Sequence, residues 1–139
     1  MLISTRGRYA LRIMIDLASK ESGRYVPLNE LAEEQGISEK YLESIIAPLS
    51  RAGIVEAARG KGGGYRLTGV PESCSAYEIL SLAENGIAAV GCGGVDGCEK
   101  AGVCRTLPLW KELDVLVEEY LRRVSLADLM HGTVPPAIT

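Results

Sequence analysis

Three cysteines recur at equal spacing, Cys92-x5-Cys98-x5-Cys104, among Gly91, Gly93, Gly94, Gly97 and Gly102. Thiolates are the standard ligands of iron–sulfur centres. Glycine lets a backbone wrap closely around such a centre. Structural zinc sites more often pair cysteines two to four residues apart, so gaps of five favour iron–sulfur over zinc. The opposing reading is a loop with ordinary thiols. The fourth cysteine, Cys74, stands just before Ser75, the expected cap of a helix. It reads as a small buried residue rather than a ligand.

A second constellation is basic. The net charge of −3 gives no support to nucleic-acid binding by itself. Its distribution says more: residues 1–66 carry ten Lys/Arg against eight Asp/Glu, whereas residues 67–139 carry five against ten. Within 51–66, Arg51, Arg59, Lys61 and Arg66 face only Glu56. A local basic spot is what phosphate contact requires, whatever the global charge. The run Gly60-Lys61-Gly62-Gly63-Gly64 does not match the glycine patterns that cradle nucleotides, because it joins two strands and opens no helix.

The elements that position these groups follow from punctuation and periodicity. Ser4 or Thr5 caps a first helix whose Ala10, Leu11, Met14, Ile15, Leu17 and Ala18 recur at helical spacing, and Gly23 ends it. Pro27 opens a short second helix, and Gly36 turns the chain. Ser38 caps a third helix with Leu42, Ile45, Ile46 and Leu49 as its apolar stripe, and Gly53 stops it. Pro48 inside that helix removes a backbone hydrogen bond, which predicts a kink or a split-off end. Residues 54–59 and 65–68 read as the strands of a hairpin with a glycine-rich tip. Ser75 and Glu78 fit a capping box opening a helix through Leu82. A long helix runs from about Thr106 through Leu109, Trp110, Leu113, Leu116, Val117, Tyr120, Leu121 and Val124. Ser125 caps a last short helix, Leu126–Met130, before a frayed tail.

Helix, short helix, turn, helix, hairpin is the order of a winged helix-turn-helix, so the expected fold is mainly α with a two-stranded β wing. In that arrangement the third helix enters the major groove with its first turns at the base edges. Ser38, Glu39, Lys40, Tyr41 and Glu43 occupy those turns. Glu43 could accept from a cytosine amino group. Arg59 and Lys61 at the hairpin tip suit phosphates or the minor groove. The alternative is that these are ordinary solvated charges on a small helical protein.

Length and composition set the frame. The chain has 139 residues, the size of one domain with a modest core. It has no Phe, so the core rests on Leu, Ile, Val and Ala. No apolar run approaches the ~20 residues that span a bilayer. Arg12 and Asp16 interrupt the N-terminal apolar stretch, and no small-residue cleavage site follows, so a cytoplasmic, membrane-free protein is expected.

The segments STRGRYALRIMIDLA, VPLNELAEEQGISEKYLESIIAPLSRAGIV and RGKGGGYRL resemble the bacterial Rrf-type transcription regulator family that includes IscR, NsrR and CymR. The resemblance runs from Met1 to about Leu126. It implies a dimeric winged-helix repressor or activator of transcription on double-stranded DNA. It places Ser38, Lys40, Tyr41 and Glu43 in the major groove and Pro27 close to a phosphate. It assigns Arg59 and Lys61 to the wing, and the dimer interface to the long helix after Thr106. It also implies an iron–sulfur cluster on Cys92, Cys98 and Cys104, most simply 2Fe–2S, with 4Fe–4S or no cluster as alternatives. The fourth ligands known in the family are a histidine, where this chain has Leu107, and an N-terminal acidic residue, where it has Arg8. Asp96, Glu99, a hydroxide, a small thiol or a partner-chain residue remain as candidates, and His131 in the C-terminal region is a poor one.

Together these expectations divide the chain into a DNA-binding region (1–84), a cysteine-bearing sensor loop (85–105), a dimerisation helix with a short terminal helix (106–131) and a flexible tail (132–139). Competing functions are a CymR-like, cluster-free repressor or thiol switch, which could partner a cysteine-synthesis enzyme, and a metal-binding or electron-transfer module without a DNA role. No nucleophile–base pair is evident, so an enzyme is not expected.

Overall fold

The computed structural model describes residues 3–21, 23–90 and 102–138. Its elements run α1 (Thr5–Ala18), α2 (Leu28–Gln35), α3 (Glu39–Arg51), β1 (Val55–Ala58), β2 (Gly64–Leu67), a 3-10 turn (Pro71–Ser73), α4 (Ala76–Glu84), α5 (Leu107–Arg123) and α6 (Leu126–His131). The fold is mainly helical with one two-stranded antiparallel sheet, as expected.

Serine hydroxyls fix the helix starts. Ser4, Ser38, Ser75 and Ser125 each accept from the amide three residues on, at Gly7, Tyr41, Glu78 and Asp128. Each such bond satisfies one of the free amides of a first turn. The reciprocal half of a capping box forms at Ser125, where Asp128 accepts from the Ser125 amide. At Ser75 the structure gives the serine half alone. Gly36 and Gly132 end α2 and α6 in the left-handed region, where glycine carries no Cβ penalty.

The helical stripes meet in one core. Ile13 and Met14 of α1, Leu31 of α2, Leu42, Ile45, Ile46 and Leu49 of α3, and Ile79 of α4 are fully buried together. Leu126 of α6 lies in the same cluster. Burying each such side chain stabilises the fold by about 1.5–3 kcal/mol. A bridge between Ser75 and Ser125 ties the start of α4 to the start of α6. The amide of Ala76 donates to the Val124 carbonyl at 2.8 Å, and that of Leu126 to the Cys74 carbonyl at 2.7 Å. Glu84, at the end of α4, accepts from the backbone amide of Ser4 at 3.0 Å and from its hydroxyl at 2.6 Å, anchoring the start of α1.

Pro48 does not split α3, which is one element to Arg51. A proline has no amide to give the carbonyl four residues back, here that of Ser44. That carbonyl is taken instead by the guanidinium of Arg6, reaching across from α1.

The segment after His131 turns back along α5. The Tyr120 hydroxyl donates to the Pro135 carbonyl at 2.9 Å, and Arg123 donates to the Ala137 carbonyl at 2.9 Å.

Candidate nucleic-acid interface and cysteine centre

The first turns of α3 form an exposed polar face. Ser38, Lys40 and Glu43 are exposed, and Tyr41 is half-buried. The Ser38 hydroxyl accepts from the Tyr41 amide at 3.1 Å, so its hydrogen remains available to an outside acceptor. Tyr41 packs edge-on against Tyr9 of α1, with ring centroids 6.1 Å apart, and Arg12 lies 5.0 Å over Tyr9. This stack holds the Tyr41 ring against α1. On α3 the Arg6 guanidinium also donates to the Ser44 hydroxyl at 3.3 Å, and that hydroxyl donates to the Tyr41 carbonyl at 2.6 Å. Arg6 and Ser44 were missed at the sequence level, because nothing local links residues 38 positions apart.

The wing stands beside this face. β1 and β2 pair in register from Val55 opposite Leu67 to Ala58 opposite Gly64. An isolated bridge joins Val26 to Tyr65, with the Val26 amide 2.7 Å from the Tyr65 carbonyl. Pro27, the residue before α2, therefore lies at the wing base. Gly64 adopts a φ of +145°, and a Cβ there would collide with the Val26 carbonyl. The Tyr65 phenol is pushed above its ordinary range, first by burial and then by the charge of Glu43.

At the wing tip Arg59 and Lys61 are exposed. Neither makes an ion pair among the described residues. Arg66 is different. It pairs with Glu56 at 2.8 Å, stacks 4.4 Å over Tyr25 and donates to the Gly23 carbonyl at 3.3 Å. The basic spot read from residues 51–66 is therefore narrower than its sequence: Arg66 is a brace across the wing.

Of the three spaced cysteines, Cys92 and Cys98 lie outside the described residues. Cys104 is half-exposed just before α5. Its Sγ lies 3.3 Å from the Thr106 hydroxyl. That hydroxyl, and then the backbone amides of Thr106 and Leu107, pull the thiol below its ordinary range. Cys74 is the opposite case: buried, with its thiol pushed up to about 11 by desolvation and by Glu78. Burial of this kind suits a packing residue rather than a ligand. Leu107 is buried at the head of α5, Arg8 is exposed on α1, and His131 is exposed at the end of α6. Among the described residues no group of three His, Cys, Asp or Glu could hold a metal ion.

α5 links the cysteine segment to an open apolar face. The Asp114 carboxylate accepts from the Ala89 amide at 2.7 Å, and Cys104 sits at the helix start. Trp110 is half-buried. Leu109, Leu113 and Leu116, which share one face at helical spacing, are 58%, 36% and 64% exposed. Among the described residues no helix is long and apolar enough to cross a membrane.

A half-exposed helix capped by serine, braced by a second helix and flanked by a basic hairpin defines a winged-helix, DNA-binding protein. Residues 3–132 match the family model Rrf2, described as an iron-dependent transcriptional regulator. The HTH-type transcriptional regulator IscR of Aliivibrio salmonicida is 37% identical over 130 residues, covering 94% of this chain and 77% of that protein. CymR of B. subtilis, the global cysteine regulator, superposes with a TM-score of 0.76 at 36% identity, over 96% of this chain and 98% of its own. IscR of T. potens superposes with a TM-score of 0.73 at 32% identity, over 95% and 88%. The chain belongs to the Rrf2 family and is an IscR-like, DNA-binding transcription regulator. Its named relatives are regulators, not enzymes.

Proposed function

We propose that the protein is a cytoplasmic homodimer that binds operator DNA and reports the state of an iron–sulfur cluster held by Cys92, Cys98 and Cys104, most simply 2Fe–2S. The observation that carries this reading is the environment of Cys104. Its thiol is half-exposed, with the Thr106 hydroxyl 3.3 Å from Sγ, a position from which it can be presented to iron. It also stands at the start of the helix that bears the open leucine face. Three thiolates would supply three of the four ligands usual for such a cluster. When bound, the cluster would supply a centre that oxidants or nitric oxide can damage. The chain's own part is to turn that change into altered DNA affinity, and α5 is the route, since Cys104 stands just before it, Ala89 bonds to its Asp114, and its exposed leucines are open to a partner protomer. A ligand acts only through its different affinity for the competent and incompetent states.

In the bound state α3 lies in the major groove with Ser38, Lys40, Tyr41 and Glu43 toward it. Pro27 approaches the backbone, and Arg59 and Lys61 extend the contact through the wing.

A second reading keeps the DNA chemistry and replaces the cluster by a thiol switch. The likeness to CymR favours it, as does the presence of Leu107 and Arg8 where the family's fourth ligands stand. Anaerobic purification, a visible spectrum and iron and sulfide counts separate the two. Iron and sulfide in the wild type, with a mobility shift on the protein's own upstream DNA that changes after chelation, is the expected result. DNA binding without iron after anaerobic reconstitution would favour a cluster-free regulator, CymR-like or thiol-switched, and no DNA binding in either form would remove both.

A further inference from the structure

We infer that Arg6 is a positioning residue for the recognition helix: it takes the Ser44 carbonyl that Pro48 leaves without an amide partner and so sets α3 in register against α1 for base reading. The inference rests on the proposal that α3 enters the major groove.

A proline ten residues into a helix normally ends or bends it, because it removes one hydrogen bond and its ring crowds the carbonyl four residues earlier. α3 nevertheless runs unbroken from Glu39 to Arg51. The guanidinium of Arg6 supplies the missing donor to the Ser44 carbonyl, and a second nitrogen donates to the Ser44 hydroxyl at 3.3 Å. A guanidinium can make both bonds at once because its donors form a rigid fork. The hydroxyl passes the constraint on by donating to the Tyr41 carbonyl at 2.6 Å. Ser44 directly follows Glu43, and Tyr41 packs on Tyr9 of the same α1 that carries Arg6. The pairing therefore ties the backbone beside the base-facing turns to α1 at two heights along α3. A backbone amide in that place would complete the helix but would give α1 no hold on it. Pro48 makes α3 dependent on Arg6.

The test uses the full-length protein, the duplex that wild type selects from a random pool, and an unrelated duplex of equal length. Arg6→Ala should lower the ratio of operator to unrelated-duplex affinity by roughly tenfold, the order of one lost base contact. Pro48→Ala restores an amide to position 48. In the Arg6→Ala background it should recover most of the ratio, and alone it should leave the ratio unchanged. Circular dichroism checks folding. If Arg6→Ala does not fold, Arg6→Lys serves, since one ammonium cannot reproduce the fork. An unchanged ratio overturns the inference, as does failure of Pro48→Ala to restore it. An equal loss on both duplexes with a shallower salt dependence also overturns it, because that is the signature of a direct phosphate contact. If Glu43→Ala and Tyr41→Ala both leave the ratio unchanged, α3 is not the reading helix and the inference falls with that assignment. A response of those two variants without one from Arg6→Ala defeats the inference alone.

Discussion

Replacing both wing-tip cations, Arg59→Ala with Lys61→Ala, probes how much of the affinity is phosphate contact. The structure determines how many charges to count. Residues 59–66 hold three cations, but Arg66 is committed to Glu56, Tyr25 and the Gly23 carbonyl, leaving two at the tip. Each phosphate contact contributes about 0.9 to the slope of log affinity against log salt on B-DNA. Two lost contacts should therefore flatten that slope by roughly 1.8 per wing. Between 50 and 200 mM salt, the fourfold rise weakens each contact about 3.5-fold, so each wild-type wing should lose roughly 12-fold more affinity over that range than its double-variant counterpart, or about 150-fold for a dimer with both wings on DNA. Fluorescence anisotropy with a labelled duplex at four or five salt concentrations measures both slopes. Arg66→Ala is the control: it should loosen the wing and lower affinity while moving the slope much less. An unchanged slope in the double variant, or an equal change in Arg66→Ala, would refute the charge count and the placement of the wing on DNA.

The open leucine face of α5 predicts that Leu113→Asp with Leu116→Asp gives a monomer in sedimentation velocity, and a persisting dimer would place the interface elsewhere. Glu43→Ala should broaden the selected consensus more than it weakens binding, since a carboxylate repels phosphates and is tolerated where it rejects wrong bases; an identical consensus counts against it. Cys→Ser at 92, 98 or 104 should each cost the anaerobic protein its iron, whereas Cys74→Ser, at a buried thiol, should keep it; any other pattern of iron counts overturns the ligand set. Leu126 is fully buried in the core shared with α1 and α4, so Leu126→Ala should cost about 2–5 kcal/mol in denaturant unfolding, and a change under 1 kcal/mol would show α6 to be peripheral.

What the sequence made legible divides by the range of the interaction that decides it. A serine cap is completed within three residues, so Ser4, Ser38, Ser75 and Ser125 all announce helix starts that the structure contains. Periodic apolar positions such as Leu42, Ile45, Ile46 and Leu49 declare a buried face without naming the neighbour that covers it. Pro48 shows where local rules fail. Its own chemistry forecasts a break, and a donor from Arg6, far away in sequence, overrides it. Arg66 fails in the other direction: by type a phosphate ligand, it is spent on Glu56 and Tyr25. The same division runs through the cysteine centre. Ligand spacing is local, so three thiols at equal intervals state a class of chemistry. A fourth ligand need not be local, and neither position to which the resemblance points can ligate, one being a buried Leu107 and the other a cationic Arg8. On the proposed reading the completing donor is a loop carboxylate such as Asp96 or Glu99, an external hydroxide or small thiol, or a residue of a partner chain. In each case that bond would be the weakest of the proposed cluster, being the one least constrained by this fold. A cluster opens first at its weakest bond, so the missing ligand is also the reason to expect a labile, responsive centre here.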